Sequence, residues 1–368
     1  MLQELQDRVA SAWENNTPFV LYSKPNDSFV HGIFQKDNEL RLVKDFSETG
    51  FVFAPFDLES PIVLLPADET LSAEFQADAK LKESEEAPLT SDAGREDYLE
   101  IVENAISELN SGKLKKVVLS RKVNVQQQVQ PLELFFKVLA AYPKAFCYVW
   151  HHPKVGTWIG ATPEILLKSA GREFTTMSLA GTQSAEEYPQ PQWTPKELNE
   201  QQMVTDYILK AMKRTSVSVK TSAVESIKAG NLWHLRTKLT GKFDPAQFES
   251  ILTSIHPTPA VCGIPLQNAK DFIRQHENYD RSFYTGFLGE LNFKKEHSRN
   301  RNRKNQENSA YKTIQNTSEL FVNLRCMQVY ENRVEIYVGG GITSGSQPVL
   351  EWEETVNKSK TMLKVLGM

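Results

Sequence analysis

Cysteine is scarce: the 368 residues hold only Cys147, Cys262 and Cys326. They lie far apart and form no CxxC pair, which leaves no thiolate zinc site and suits a reducing compartment. Long apolar runs are missing too. None approaches the roughly 20 residues that a membrane-spanning helix needs. Residues 1–16, MLQELQDRVASAWENN, form an amphipathic, acid-bearing helix pattern and not a signal peptide. Nor is there an excess of positive charge. Lys and Arg number 42 against 46 Asp and Glu, a formal net charge of −4, which argues against a general nucleic-acid or membrane-surface binder. The expected setting is cytoplasmic, with no membrane and no nucleic acid as partner. What is present is ordinary for a globular protein, with 40% hydrophobic and 24% charged residues. The length suits one large domain or two ordinary ones.

Residues 1–90 read as a starting helix and then short strands, FVLYS, FVHGIFQ, ELRLVKDF, GFVFAPF and PIVLLP, bounded by Pro, Asn, Asp and Gly. They show no chemical constellation. Residues 73–96, AEFQADAKLKESEEAPLTSDAGRE, are polar and read as a surface loop or linker, the best boundary in the chain. Next, Leu99, Val102, Ile106 and Leu109 have helical spacing. KLKKVVLSRKVNVQ then alternates as a strand, with Lys116 at its mouth. If that side lines a cleft, Lys116 could serve as a base; an ordinary strand-end lysine is the plainer alternative. TWIGATPEILLKS embeds Glu164 in an otherwise apolar strand. Burial there would raise its pKa towards that of a general acid, unless the side chain simply faces out.

EFTTMSLAGTQ ends at Gly181 and Thr182, whose backbone N–H groups and hydroxyl could bind a carboxylate or merely turn the chain. In TPKELNEQQMVTDYILKAMKRT, Thr194 caps a helix, Pro195 takes its first position, and Glu197 completes a capping box. Glu200 lies three residues on, on the same face, outside that account. A second Glu-x-x-Glu opening lies in residues 337–358, YVGGGITSGSQPVLEWEETVNK, and the chemistry is expected to centre there. Gly339, Gly340 and Gly341 lead into a helix that carries Glu351, Glu354 and Lys358 on one face. A solvated helix start with a Glu354–Lys358 pair would also explain it. Facing each other, the four carboxylates would need a cation between them, and oxygen-only ligands select a hard one such as Mg²⁺. His234, in a strand-like run, is either a ligand partner or a satisfied core histidine. Tyr284 stands at a strand start. Arg325 alternates with Leu324 and Cys326; an Arg in an apolar strand needs an anion, and its fork fits a carboxylate. Residues 294–316 are basic and polar, a conceivable nucleic-acid arm but more simply a solvated loop.

The ordered set KVVLSR, IGATPEILL, SLAGT, NEQQMVTD, LWHL, HPTPAVCG, YDRSFYTGFLG, LRC and GGGITSGSQPVLEWEETVNK resembles the chorismate-utilising enzymes. The likeness covers residues 97–368, the catalytic region, while 1–90 match loosely as a β-rich part of the same fold. It implies an α+β fold, a single large domain of two packed antiparallel β-sheets with outer helices and the site between the sheets. By position it implies Lys116 as the base that activates water and Glu164 as the acid that protonates the departing C4 hydroxyl. Glu200 and Glu354 would be the chief Mg²⁺ ligands, supported by Glu197 and Glu351. Gly181, Thr182, His234 and Lys358 would surround the ring carboxylate; Tyr284, Arg325 and backbone near Gly340 would hold the enolpyruvyl carboxylate. Gln201 stands where the family often has His. Ammonia-using members resemble each other in carrying Gln at the position of Lys116, because water needs a base and ammonia does not. Aminodeoxychorismate synthases typically carry a nucleophilic Lys where this chain has Ala180. The resemblance therefore implies water as nucleophile and isochorismate as product. Salicylate synthase, which goes on to eliminate pyruvate, shares both features and is the alternative; a non-catalytic chorismate-binding relative is the more remote one. Chorismate is the implied partner, with no glutaminase subunit and a monomer or weak dimer. A menaquinone or siderophore setting is left open.

Overall fold

Period-two alternation of β-branched and aromatic residues runs through most of the chain, so strands dominate. The structure is a computed structural model that describes residues 1–76, 92–215, 217–229, 232–298 and 312–368. The elements begin with α1 (Leu2–Glu14), β1 (Phe19–Ser23), β2 (Phe29–Phe34), β3 (Arg41–Leu42), β4 (Gly50–Ala54), β5 (Val63–Pro66) and β6 (Glu69–Glu74). Then come α2 (Arg95–Asn110), β7 (Lys116–Val125), α3 (Pro131–Ala141), β8 (Phe146–His152), β9 (Gly156–Thr162), β10 (Ile165–Ala170) and β11 (Glu173–Ser184). They continue with α4 (Pro195–Arg214), β12 (Ser218–Thr221), β13 (Glu225–Ala229), β14 (Leu232–Lys242), α5 (Phe248–Ile255), β15 (Gly263–Ile264) and α6 (Leu266–His276). The last are β16 (Phe287–Ser298), β17 (Lys312–Val322), β18 (Cys326–Val329), β19 (Val334–Ile342) and α7 (Pro348–Leu366).

The strands form two antiparallel sheets. One runs β15-β7-β19-β18-β9-β8-β1-β2-β6; the other runs β12-β14-β11-β10-β17-β16-β4-β5-β3, with β13 also paired to β14. Aromatic side chains fill the space between them. Phe146 of β8 stacks on Phe321 of β17 at 4.2 Å, and Phe53 of β4 stacks on Phe283 at 4.3 Å. Truncating one such ring to Ala would cost about 3–5 kcal/mol. Apolar faces of α1, α3 and α7 cover the outside of the first sheet, and α4 and α5 cover the second. The α+β expectation of two packed sheets with outer helices holds. Among the described residues no helix is long and apolar enough to cross a membrane.

Three expectations change. ELRLVKDF shrinks to the two residues of β3, and ETLSAE, which lacks apolar alternation, forms the edge strand β6 with only Ala73 buried. Residues 73–96 are not loop at their ends: Ala73 and Glu74 belong to β6 and Arg95 and Glu96 to α2, while 77–91 lie outside the described residues. Nor is 294–316 a plain loop. Lys294 pairs with Asn316, and the pairing continues to Ser298 and Lys312, so both ends are strand. Residues 299–311 lie outside the described residues. The first 76 residues enter both sheets, β1 beside β8 and β4 beside β16.

Of the connections that change sheets, two lie side by side. Pro163 and Glu164 carry the chain from β9 in the first sheet to β10 in the second. Residues 323–325 carry it back from β17 to β18. The crossings are bonded to each other. Thr162 Oγ1 donates to the Val322 carbonyl at 2.6 Å, Val322 N to the Glu164 carbonyl at 2.9 Å, and Ala161 N to the Arg325 carbonyl at 3.0 Å.

Candidate active site

Where the chain leaves a sheet, ladder partners are lost and side chains can face a cavity instead of a neighbouring strand. A cavity opens at the paired crossings, lined among others by Glu164, Gly181, Thr182, His234, Tyr284, Arg325, Gly340, Glu354 and Lys358. Glu164 and Arg325 are thus not strand residues, as alternation suggested. Each sits on a crossing, and Arg325 has a left-handed φ of 47°. Tyr284 lies in the turn just before β16 and stacks on Tyr337 at 5.3 Å. Gly181 is left-handed at φ 75°, and a Cβ there would press on Glu197 Cβ at 3.2 Å.

Charges on the crossings are incompletely partnered. Glu164 is 3% exposed, and its carboxylate has no protein hydrogen bond among the described residues. Burial lifts it to about 8, against the pull of the Lys116 and Lys358 charges. It therefore keeps its proton near neutral pH. Arg325 has no carboxylate partner among the described residues; its Nη2 lies 3.1 Å from His234 Nε2. Burial, with the Arg325 charge beside it, holds the His234 imidazole down to about 3. An Arg can only donate, so Nε2 accepts. Nδ1 then carries the hydrogen and donates to the Gly181 carbonyl at 3.0 Å. Both histidine nitrogens are occupied by protein, so His234 serves the cavity through Arg325 and Gly181.

The other side of the cavity is built from the openings of α4 and α7. Thr194 caps α4 as read from the sequence. Glu197 Oε2 accepts from Thr194 N at 2.8 Å and also from Thr194 Oγ1, so its carboxylate is turned to its own helix although the residue lines the cavity. Of the four carboxylates expected around a metal, Glu197 is committed elsewhere. The remaining three each meet a lysine. Glu200 Oε1 lies 2.6 Å from Lys116 Nζ, Glu354 Oε1 2.6 Å from Lys358 Nζ, and Glu351 Oε1 3.1 Å from Lys196 Nζ. Gly341 makes the first pair possible, because a Cβ there would meet Glu200 Oε1 at 2.6 Å. Lys358 also donates to the Gly339 carbonyl at 2.9 Å. Lys116, 1% exposed, sits behind Glu200, and Glu351, 2% exposed, sits behind Lys196; neither lines the cavity directly.

Among the described residues no three His, Cys, Asp or Glu side chains are gathered into a ready metal cage. The acidic side is nevertheless built around positive charge. Burial opposes the Lys196 ammonium, but Glu351, then Glu354 and Glu200, outweigh it and hold its pKa above the usual lysine range. Burial, with Glu354 alongside, pushes the Glu351 carboxyl up. Carboxylate oxygens, each already set against a positive charge, are the donor type that suits a hard divalent ion. Lys196 itself went unread in the sequence. Its signal was there: a cationic residue between a cap and two acids, on a helix start that otherwise gathers negative charge. The apolar lining, Val118, Leu179 and Leu324 among it, was not legible either, since nothing local marks it.

Two family models described as chorismate binding enzyme match this chain, over residues 63–297 and 311–364. Vibriobactin-specific isochorismate synthase of Vibrio cholerae is 27% identical over 333 residues, 86% of this chain and 79% of that protein. Isochorismate synthase EntC of Escherichia coli is 29% identical over 269 residues, 69% of this chain and 62% of that protein. Among solved structures, DhbC of Bacillus anthracis superposes with a TM-score of 0.77 at 24% identity, covering 98% of this chain and 99% of that one. MenF, the menaquinone-specific isochorismate synthase of Escherichia coli, gives 0.74 at 19% identity, covering 96% and 89%. The two structures share the fold. The matched segments take in the two paired sheet crossings and both acidic helix openings, and the chain belongs to the chorismate binding enzyme family.

Proposed function

We propose that the protein is an isochorismate synthase, which isomerises chorismate by adding water at C2 and expelling the C4 hydroxyl. The observation that carries this reading is Glu164, a buried carboxyl held protonated near neutral pH, within the electrostatic reach of the Lys116 nitrogen. An acid and an amine beside one cavity suit a reaction that must protonate a leaving hydroxyl and deprotonate an attacking water. The relatives named isochorismate synthases support the same reading.

In this mechanism Lys116 acts as the base: it must first give up the proton it carries in its pair with Glu200, and its amine then takes a proton from water as the water oxygen bonds to C2. The ring double bonds shift, and Glu164 gives its proton to the C4 oxygen, which leaves as water. The lysine ends as ammonium and the glutamate as carboxylate, so one proton passed between them restores the reacting forms of both. Arg325 binds a substrate carboxylate through its fork, aimed by His234. Ala180, at the cavity wall, offers no amine that could form a covalent adduct. Glu200, Glu351 and Glu354 would hold Mg²⁺, which when bound neutralises and orients a substrate carboxylate.

The test is incubation with chorismate and Mg²⁺, products separated by chromatography. Isochorismate alone is the expected result. Salicylate with pyruvate would make the enzyme a salicylate synthase, an aminated product with added ammonia would overturn water as nucleophile, and unchanged chorismate would leave a binding protein.

A further inference from the structure

We propose that Lys196 is the resident counter-cation of the acidic helix openings, holding the place that a divalent cation takes and withdrawing as that cation binds. The inference rests on the Mg²⁺ reading given above and adds a residue to it. Glu200 and Glu354 line the cavity and Glu351 stands behind Lys196, and three lysines neutralise these carboxylates, one apiece. A divalent ion entering this balanced set must displace positive charge.

Only one of the three lysines is free to go. Lys116 is 1% exposed and held on β7. Lys358 has a second bond, to the Gly339 carbonyl. Lys196 has a 40% exposed side chain, lines the cavity, and bonds only Glu351 with its Nζ among the described residues. It stands second in α4, where the capping box fixes the backbone on both sides. The side chain can therefore swing into solvent without moving the helix or opening the core. Its charge is also felt by Glu354 and Glu200, so it serves the group and not one partner. An ammonium offers a single charge to this set, and a divalent ion offers two to the same oxygens.

Calorimetric titration of MgCl2 into the metal-free full chain tests this, comparing wild type with Lys196→Met and Lys196→Arg. Lys196→Met should bind Mg²⁺ about tenfold tighter, the exposed charge being partly screened. Its melting temperature should fall in the metal-free form and recover with saturating Mg²⁺. Lys196→Arg, which keeps the charge, should not gain affinity. Equal or weaker Mg²⁺ binding by Lys196→Met overturns the proposal, as does a raised KM for chorismate with Mg²⁺ affinity unchanged, which would make Lys196 a substrate contact. If neither wild type nor variant binds Mg²⁺, the metal reading itself falls. Should Lys196→Met not fold, acylation of wild-type lysines at fixed pH, read by peptide mass spectrometry, decides the matter. Mg²⁺ should raise labelling of Lys196 and leave Lys116 protected; unchanged labelling of Lys196 overturns the displacement.

Discussion

Two groups of buried charge in the molecule are built in opposite ways. Arg281 and Glu277 form a closed unit. Arg281 donates to Glu277 through Nε at 2.8 Å and Nη2 at 2.5 Å, to the Val261 carbonyl at 2.9 Å and to the Val118 carbonyl at 2.7 Å. Glu277 also accepts from Ser120 N at 2.7 Å and Ser120 Oγ at 2.9 Å. The group at the sheet crossings is open. Glu164 has no hydrogen-bonding protein partner for its carboxylate among the described residues, and Arg325 faces a neutral histidine instead of an anion. Burying charge is tolerable only when partners make up the lost hydration. In the closed group the protein supplies the partners; in the open group they are missing among the described residues, and the proposed function assigns their place to the substrate. Saturation, more than burial, separates charge that holds the fold from charge kept for chemistry.

The sharpest way to break this contrast is to neutralise one member of each group. Glu164→Gln should lower kcat/KM for chorismate by about 10²–10⁴-fold, the usual worth of a general acid, while leaving the melting temperature intact or higher. Arg281→Met should do the reverse. It strands Glu277 in the interior and should cost about 3–5 kcal/mol in urea denaturation, with loss of activity only as far as the fold is lost. A Glu164→Gln enzyme of near-normal rate would dissolve the contrast, as would an Arg281→Met chain of normal stability.

The pH dependence of Glu164 sharpens it further. Its folded value of about 8 stands above its ordinary 4.5. The protonated acid is present below about 8, so kcat/KM should fall as pH rises through that value. Stability follows the same sign. Between 4.5 and 8 the unfolded chain has released this proton and the folded one retains it, so the group lowers stability increasingly as pH rises across that window and no further above it. Urea denaturation across this range should show Glu164→Gln gaining on wild type as pH rises. A constant difference would mean that the carboxyl ionises normally.

Local rules made the helix openings legible. The Thr194–Glu197 capping box and the Pro348 start of α7 formed where residue order put them. The same rules failed at the crossings. Glu164 and Arg325 each sit in apolar, alternating surroundings, so period two placed them within strands. Which sheet a strand joins is decided by pairing with distant segments, and a change of sheet leaves no mark in alternation. Edge strand β6 was missed for a related reason: with one buried residue, ETLSAE has no apolar face to read. Arg281 and Glu277 stand four apart, as in any exposed helical pair, and only the folded chain sets them inside. The motif resemblance supplied a grouping of these residues that periodicity could not, whereas the capping role of Glu197 was legible from its own helix opening.

Arg325 is the next step down in size. Since it has no protein carboxylate to orphan among the described residues, Arg325→Leu should fold normally. Its loss should raise KM for chorismate about 10²-fold, the worth of a charge-assisted pair. Marked destabilisation instead would show that the arginine belongs with the closed group.

The smallest effect belongs to His234, which stands between the two kinds of charge: its nitrogens are satisfied by protein, yet one of them aims an unsatisfied arginine. Replacing it with Leu removes the only acceptor that Arg325 has for its guanidinium among the described residues, so the fork loses its direction but keeps its charge. KM should rise about tenfold, the worth of one or two hydrogen bonds, with kcat little changed. His234→Gln should recover most of the loss, because an amide can accept from Arg325 and donate to Gly181. The imidazole titrates at about 3, far below the working range, so the wild-type KM should show no inflection near the ordinary histidine value of about 6.5. An inflection there that disappears in His234→Gln would mean that the imidazole takes up a proton in the working enzyme. His234 would then be a cation facing the substrate and not the neutral prop of one.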